Sequence, residues 1–513
     1  MPMHLDLTIP AQLSWSLFPD LLLMGGAMLL LVWAAWRPES AKYQRTIGAL
    51  SIVLLVITAA AIVWFMREGY TAGAGPVAVD RFRWIADLIL IVATIGTIAL
   101  SMDYNDREQM HAPEAHVLIL LATSGMMLLA SARDLIMVFL GIETMSVAVY
   151  VLAGMNRRSI RAAEGALKYF LLGAFSTAFL LYGIALVYGA TGATNLAVIG
   201  ERIVQYGLTD SPLLLIGVAL MLVGFGFKIA AAPFHMWAPD VYEGAPTPIT
   251  AYMAAAVKAA AFTAFFRVWL EALSPVFMRW HNAVWWLAVV TMVVGNLIAL
   301  RQKNVKRMLA YSSIAHAGYL LVALTVNTAA GSEAFLFYAF IYTLATFGAF
   351  AVVVALGEPG ERTSNIDDYN GLWTVRPWTA VAMSVFMLAL LGFPIFGGAG
   401  FFAKYFVVQA ALQAPSPHTK LAVVLVLTSV VSAGYYLYVV MVMFMRPRAA
   451  GALVPARAGG LTRIVIGATA IALIVLGFFP ERLVRLTRGG APLSALASPS
   501  ATTTIPLPAL PVR

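Results

Sequence analysis

Four ionisable side chains, Glu143, Lys228, Lys258 and Lys404, each fall inside a long apolar run. A charge at the centre of a bilayer helix costs roughly 2.5–3.5 kcal/mol on insertion scales, so four cost on the order of 10 kcal/mol before any pairing. Intramembrane groups kept at that cost point to function, and buried lysines with a carboxylate suit proton transfer. Burial weakens a lysine's hold on its proton, and a nearby carboxylate strengthens it. Glu143 is therefore expected to tune a lysine, with Lys228 the natural partner; the plainer alternative is an ion pair that locks two helices. Lys168 lies nearer the end of its run (Leu167-Lys168-Tyr169), where snorkelling to the interface is an equal alternative. His235 and His316 stand in or beside apolar runs and could relay protons, since histidine titrates near neutrality. The plain reading of each is a hydrogen-bonded structural histidine. Tyr311, Ser312, Ser313 and Tyr319 flank His316 and could hold relay waters. No histidine belongs to a metal-ligand spacing, so no metal is expected.

The elements that must hold these groups are membrane helices. The chain has 513 residues, 61% hydrophobic and 11% charged, with mean hydropathy +0.86; soluble domains run at about 25% charged. About 20 apolar residues cross a bilayer core. Fourteen spans are predicted: 13–36, 46–66, 84–102, 115–132, 135–154, 163–188, 212–232, 247–270, 283–300, 308–326, 334–356, 378–398 with 401–413, 420–445 and 463–479. The net charge of +9 resides in short loops, and this reads as positive-inside sorting and not as nucleic-acid binding. Basic clusters Arg37/Lys42/Arg45, Arg157/Arg158/Arg161, Arg301/Lys303/Lys306/Arg307 and Arg446/Arg448/Arg457/Arg463 fall after spans one, five, nine and thirteen, on one side. That side should be the cytoplasm, with both termini opposite. Arg67, Arg81 and Arg83 are the exception, on the outer side. With no cysteine, thiolate chemistry and cysteine-ligated clusters are excluded. No phosphate-cradling glycine loop is present, and the first apolar segment reads as a retained span.

Two spans carry breaks. Pro233 cannot donate to Ile229 and its ring crowds the preceding turn, so the helix should open near Lys228. The run Gly392-Phe-Pro394 through Gly397-Gly398-Ala-Gly400 interrupts a second span just before Lys404. Paired interruptions in two halves are the pattern of inverted-repeat transporters. Domains are accordingly expected at 1–114 (helices 1–3), 115–270 (first repeat, helices 4–8), 283–445 (second repeat, helices 9–13) and 463–479 (last helix), with a disordered tail at 489–513. Glu143 then falls opposite His316, and Lys228 opposite Lys404.

The stretch Phe227-Lys228-Ile-Ala-Ala-Ala-Pro233-Phe-His235-Met-Trp237-Ala-Pro239-Asp240-Val-Tyr-Glu243-Gly244-Ala-Pro246-Thr-Pro248 resembles the signature of the antiporter-like membrane subunits of respiratory complex I, shared with multisubunit Na⁺/H⁺ antiporters and membrane-bound hydrogenases. Ala166-Leu-Lys168-Tyr-Phe-Leu-Leu-Gly-Ala and Lys306-Arg-Met-Leu-Ala-Tyr-Ser-Ser-Ile-Ala-His316-Ala-Gly-Tyr look like subunit N of that group. The resemblance implies an all-α polytopic fold of about fourteen helices, with two inverted five-helix repeats and two discontinuous helices. It implies proton-translocation roles for Glu143, Lys228, Lys258 and Lys404, with Lys168, His235, His316 and Tyr311 as possible relay groups. It also implies other membrane-arm subunits as partners, further antiporter-like ones among them, in the bacterial inner membrane. This chain should carry no cofactor; NADH, FMN, iron–sulfur clusters and quinone would sit in partner subunits. A cation/proton antiporter or hydrogenase subunit is the alternative, and neighbouring genes would separate the two.

Overall fold

The structure is a computed structural model that describes residues 4–36, 40–72, 75–361, 364–394, 398–448 and 457–492. Most of the expected tail lies outside the described residues. Among the described residues, twelve helices are long and apolar enough to cross a membrane, and the shorter apolar helices Pro212–Lys228 and Pro377–Leu391 begin the two interrupted spans. Those twelve and the two interrupted spans correspond in order to the fourteen predicted segments.

Local chemistry sets many of the helix ends. Asp80, Asp134, Ser159, Asn195 and Asn304 stand at N-caps, each accepting a backbone N–H of the first turn. Gly69 and Gly192 end two long helices in the left-handed conformation that glycine adopts without strain. The only strands among the described residues are His4–Leu5 and Thr71–Ala72, a parallel two-residue pair.

Burial ranks the helices. The apolar windows of Thr247–Ala272 and Val305–Thr325 are 100% buried, and that of Ala329–Leu356 is 89% buried. Those of Ala41–Glu68 and Gly460–Phe478 are 28% and 17% buried, so these two form part of the rim. The centre of the molecule is thus built from the helices that carry Lys258 and His316. Thr247–Ala272 is not uniformly α: Met253–Val257, immediately before Lys258, and Val268–Ala272 are π-turns. Such widened turns displace a helix's register and often accompany functional residues.

Both interruptions are present. The first helix stops at Lys228 and the chain resumes helix at Ala238–Gly244. The second stops at Leu391, with Gly392 left-handed, and resumes at Gly398–Gln413; residues 395–397 of that break lie outside the described set. Residues of 104–109, 156–161, 243–246, 302–304, 359–361 and 364–365 gather at one end, around a polar vestibule of about 1110 Å³.

Candidate functional site

Lys228 is buried at the C-terminal end of Pro212–Lys228, where helix carbonyls lack intrahelical partners and favour a cation. Its ammonium donates to Ser146 Oγ at 2.8 Å and to the Tyr150 hydroxyl at 3.3 Å, both on Leu135–Ala153. Glu143 lies on that same helix, one turn before Ser146. No ion pair within 4 Å joins Glu143 to Lys228 among the described residues, and Glu143 Oε1 is buried without a hydrogen-bond partner. The hydroxyls that hold Lys228 thus stand on the helix that carries Glu143, and no direct contact joins the two expected partners among the described residues. The break that frees Lys228 is fixed by Trp237, which donates to Phe227 O at 3.1 Å, and by Thr291, whose Oγ1 accepts from Ala232 N–H at 3.0 Å.

Lys258 lies in the central helix and is buried. Its ammonium donates to the Ser313 carbonyl at 2.6 Å and to the Ser313 hydroxyl. Tyr342 donates to the same hydroxyl at 2.9 Å, and its ring packs on His316 with centroids 4.9 Å apart. His316 is bonded on both sides, by the Tyr338 hydroxyl at 2.7 Å and the Tyr436 hydroxyl at 3.1 Å. Tyr436 also bonds Ser312. A cavity of about 10 Å³, room for about one water, lies among His316, Tyr342, Ala389, Gly400 and Lys404. The Lys404 ammonium sits 4.7 Å from the Tyr319 ring centroid and donates to Leu391 O at 2.8 Å. That carbonyl belongs to the last residue of Pro377–Leu391, so both break lysines lie at the C-terminal end of a half-helix.

The structure thus brings Lys258, His316 and Lys404 into one hydroxyl-lined cluster, and Glu143 and Lys228 into another. No hydrogen bond joins the two clusters among the described residues. His235 is half-buried beside the first break, 6.5 Å from the Tyr311 ring, with a buried Nδ1 that has no partner. Lys168 is 43% exposed and pairs with Glu164 at 2.7 Å and Asp240 at 3.0 Å, at the loop end of the molecule. These contacts place it among surface ion pairs.

Sequence reasoning passed over several hydroxyls that hold the lysines, Ser313 and His316. Ser146, Tyr150, Tyr338, Tyr342 and Tyr436 look ordinary in apolar runs, and only the fold aims their hydroxyls inward. It also passed over Glu361, whose Oε1 accepts from Thr247 N–H, Thr247 Oγ1 and the Tyr104 hydroxyl at 3.0, 2.7 and 2.8 Å. Its Oε2 accepts from Lys306 at 2.6 Å. Arg83, the exception among the loop charges, is wholly buried and paired with Asp20 and Asp87. It is not a loop cation, which removes one of the three outer-side charges.

Residues 132–444 match the family model described as NADH:quinone oxidoreductase/Mrp antiporter, TM. The chain is 52% identical over 483 residues to NADH-quinone oxidoreductase subunit N of Gemmatimonas aurantiaca, covering 92% of each chain. It is 46% identical over 431 residues to subunit N of Trichlorobacter lovleyi, covering 84% of this chain and 87% of the relative. Among solved structures, respiratory complex I from Thermus thermophilus with bound aureothin superposes with TM-score 0.77 at 36% identity, over 91% of this chain and 98% of the matched one. A subunit of the Mrp complex from Dietzia reaches TM-score 0.78 at 20% identity, which shows the fold alone. With its lysines at two helix breaks and its family match across the central helices, this chain belongs to the antiporter-like membrane subunits of NADH:quinone oxidoreductase, in the subunit N branch.

Proposed function

We propose that this chain moves protons as a membrane-arm subunit of NADH:quinone oxidoreductase, through Glu143, Lys228, Lys258 and Lys404. The observation that carries this reading is the buried line in which the Ser313 hydroxyl bonds Lys258 and Tyr342, the Tyr342 ring packs on His316, and a small cavity lies between His316 and Lys404. Each member is an amine, a hydroxyl or an imidazole that can both give and take a proton. Nothing in the line is a redox group, so the driving force comes from electron transfer in partner subunits, where NADH, FMN, iron–sulfur clusters and quinone would reside. A change in charge near Glu143 would alter the hold of Lys228 on its proton.

In this reading the spans of 115–270 and 283–445 form the two repeats, and the vestibule end faces the cytoplasm of a bacterial inner membrane. The rim helices would contact lipid and the neighbouring membrane-arm subunits. Lys168, His235 and Tyr311 would serve the entry side of the first repeat.

The test is proton uptake in proteoliposomes of the assembled complex. Lys228→Ala and Glu143→Ala are each expected to cut quinone-coupled proton pumping sharply. Normal stoichiometry in both variants would overturn the reading.

A further inference from the structure

At the other end of Arg81–Arg107 from the vestibule, a second set of charges is buried. Arg83 Nη2 donates to Asp20, Arg83 Nη1 donates to the carbonyls of Ala78 and Ser16 at 2.8 and 3.2 Å, and Arg83 Nε lies 3.4 Å from Asp87. One guanidinium therefore faces two carboxylates. Asp87 is fully buried and neither of its oxygens has a hydrogen-bond partner; Asp20 Oδ1 has none either.

The adjoining pairs do not supply the missing cation. Arg267 bonds Asp80 at 2.7 and 3.0 Å and Glu271 at 2.9 Å, and Glu271 also pairs with Arg133 at 2.9 Å. Among the described residues, four buried carboxylates thus meet three guanidiniums, leaving one negative charge in excess. An uncompensated buried carboxylate is costly and takes up a proton instead.

We propose that Asp20 and Asp87 share one bound proton, which makes this cluster a proton station on the face opposite the vestibule. A cavity of about 270 Å³ opens beside it, lined by Asp80, Arg81 and Trp84 among others. The Trp84 ring covers Arg83, whose guanidinium carbon is 4.2 Å from the ring centroid. Toward the interior, Thr94 stands two helical turns after Asp87 on the same face, given 3.6 residues per turn. Its hydroxyl bonds Thr123 at 2.9 Å, and Thr123 bonds the Tyr252 hydroxyl at 2.6 Å. Tyr252 lies on the span Thr247–Ala272, the one that carries Lys258, and Arg267 and Glu271 follow Lys258 along it.

As a station on a transmembrane route the cluster rests on the relay proposed above; the bound proton does not. Infrared spectra of the assembled complex in vesicles, taken in H₂O and D₂O, read that proton directly. The parent is expected to show a deuterium-sensitive carbonyl band of a buried carboxylic acid that Asp87→Asn lacks. Asp20→Asn is expected to lose it too, because removing one carboxylate lets Asp87 ionise against Arg83. If one variant fails to assemble, the other decides. A band that survives in either assembled variant overturns the proposal. With the band lost, a lowered proton-per-electron ratio supports the station, and a parental ratio overturns it while leaving the lysine relay to its own variants.

Discussion

At the scale of single residues, the lysines are held by hydroxyls and backbone carbonyls more than by opposite charges. Lys228 rests on Ser146 and Tyr150, and Lys258 on Ser313. Hydroxyl contacts leave the amine free to change its protonation state, whereas a contact carboxylate would hold the proton in place. Ser313 is the shared joint of Lys258 and Tyr342. Ser313→Ala keeps the backbone carbonyl that accepts from Lys258, so folding should persist. Turnover-coupled pumping is expected to fall on the order of tenfold, less than the 10²-fold or more typical of a positioned acid–base group. Proton uptake in vesicles checks it, and an unchanged rate would remove Ser313 from the route. The four charges were legible in the sequence because a charge among apolar residues is conspicuous. Tyr338, Tyr342 and Tyr436 were not, because a tyrosine suits an apolar helix whether or not its hydroxyl finds a use.

At the scale of elements, the positions of the helix breaks followed from Pro233 and from the glycine run, but the groups that meet at each break are set by tertiary packing. Each break ends a helix at a lysine: Lys228 is the last residue of the first helix, and the last carbonyl of the second, on Leu391, accepts from Lys404. The helices are also spaced by glycines: a Cβ on Gly173 would overlap the Tyr150 hydroxyl. Gly173→Ala is therefore expected to push Tyr150 off Lys228 and lower pumping with every lysine intact, to be read against electron-transfer rate in the same vesicles. The span Thr247–Ala272 is held at its start by Glu361, on the loop after Ala329–Leu356. Burial pushes the Glu361 carboxyl up, but the Lys306 ammonium and the Thr247 and Tyr104 donors outweigh it and hold it below its ordinary 4.5. The unfolded chain then binds that proton more readily, so the stabilisation is whole above pH 4.5 and is lost as pH falls through the lowered value. Glu361→Gln should cost about 1–3 kcal/mol near neutrality and flatten this acid-side loss, as thermal melting of the complex against pH would show. A melting profile equal to the parent's would contradict it. Glu361 had no sequence signal, since it sits in a polar loop among other charges.

At the scale of the whole molecule, charge is sorted to the two ends and to a thin central line. The central line runs through the most buried helices, and this is why sequence hydropathy located the spans without showing which of them form the centre. The end cluster around Arg83 binds Phe18–Ala35, Arg81–Arg107 and Thr247–Ala272 together. Arg83→Gln would leave the Asp20–Asp87 pair without its cation, and breaking a buried ion pair costs about 3–5 kcal/mol. The expected outcome is a loss of assembled complex on native gels; parental levels would show that the guanidinium is dispensable. His316 sets a further condition on the whole route. With a tyrosine hydroxyl on each ring nitrogen, a proton that enters at one nitrogen leaves from the other, and the neutral ring is left as the opposite tautomer. The packed rings of Tyr319, Tyr338 and Tyr342 around it obstruct a ring flip. Turning of the hydroxyls does not carry a proton from one nitrogen to the other, so the original tautomer returns only when the ring itself turns in that crowded site; under the proposed relay the line would pass protons singly, with His316 re-armed after every one.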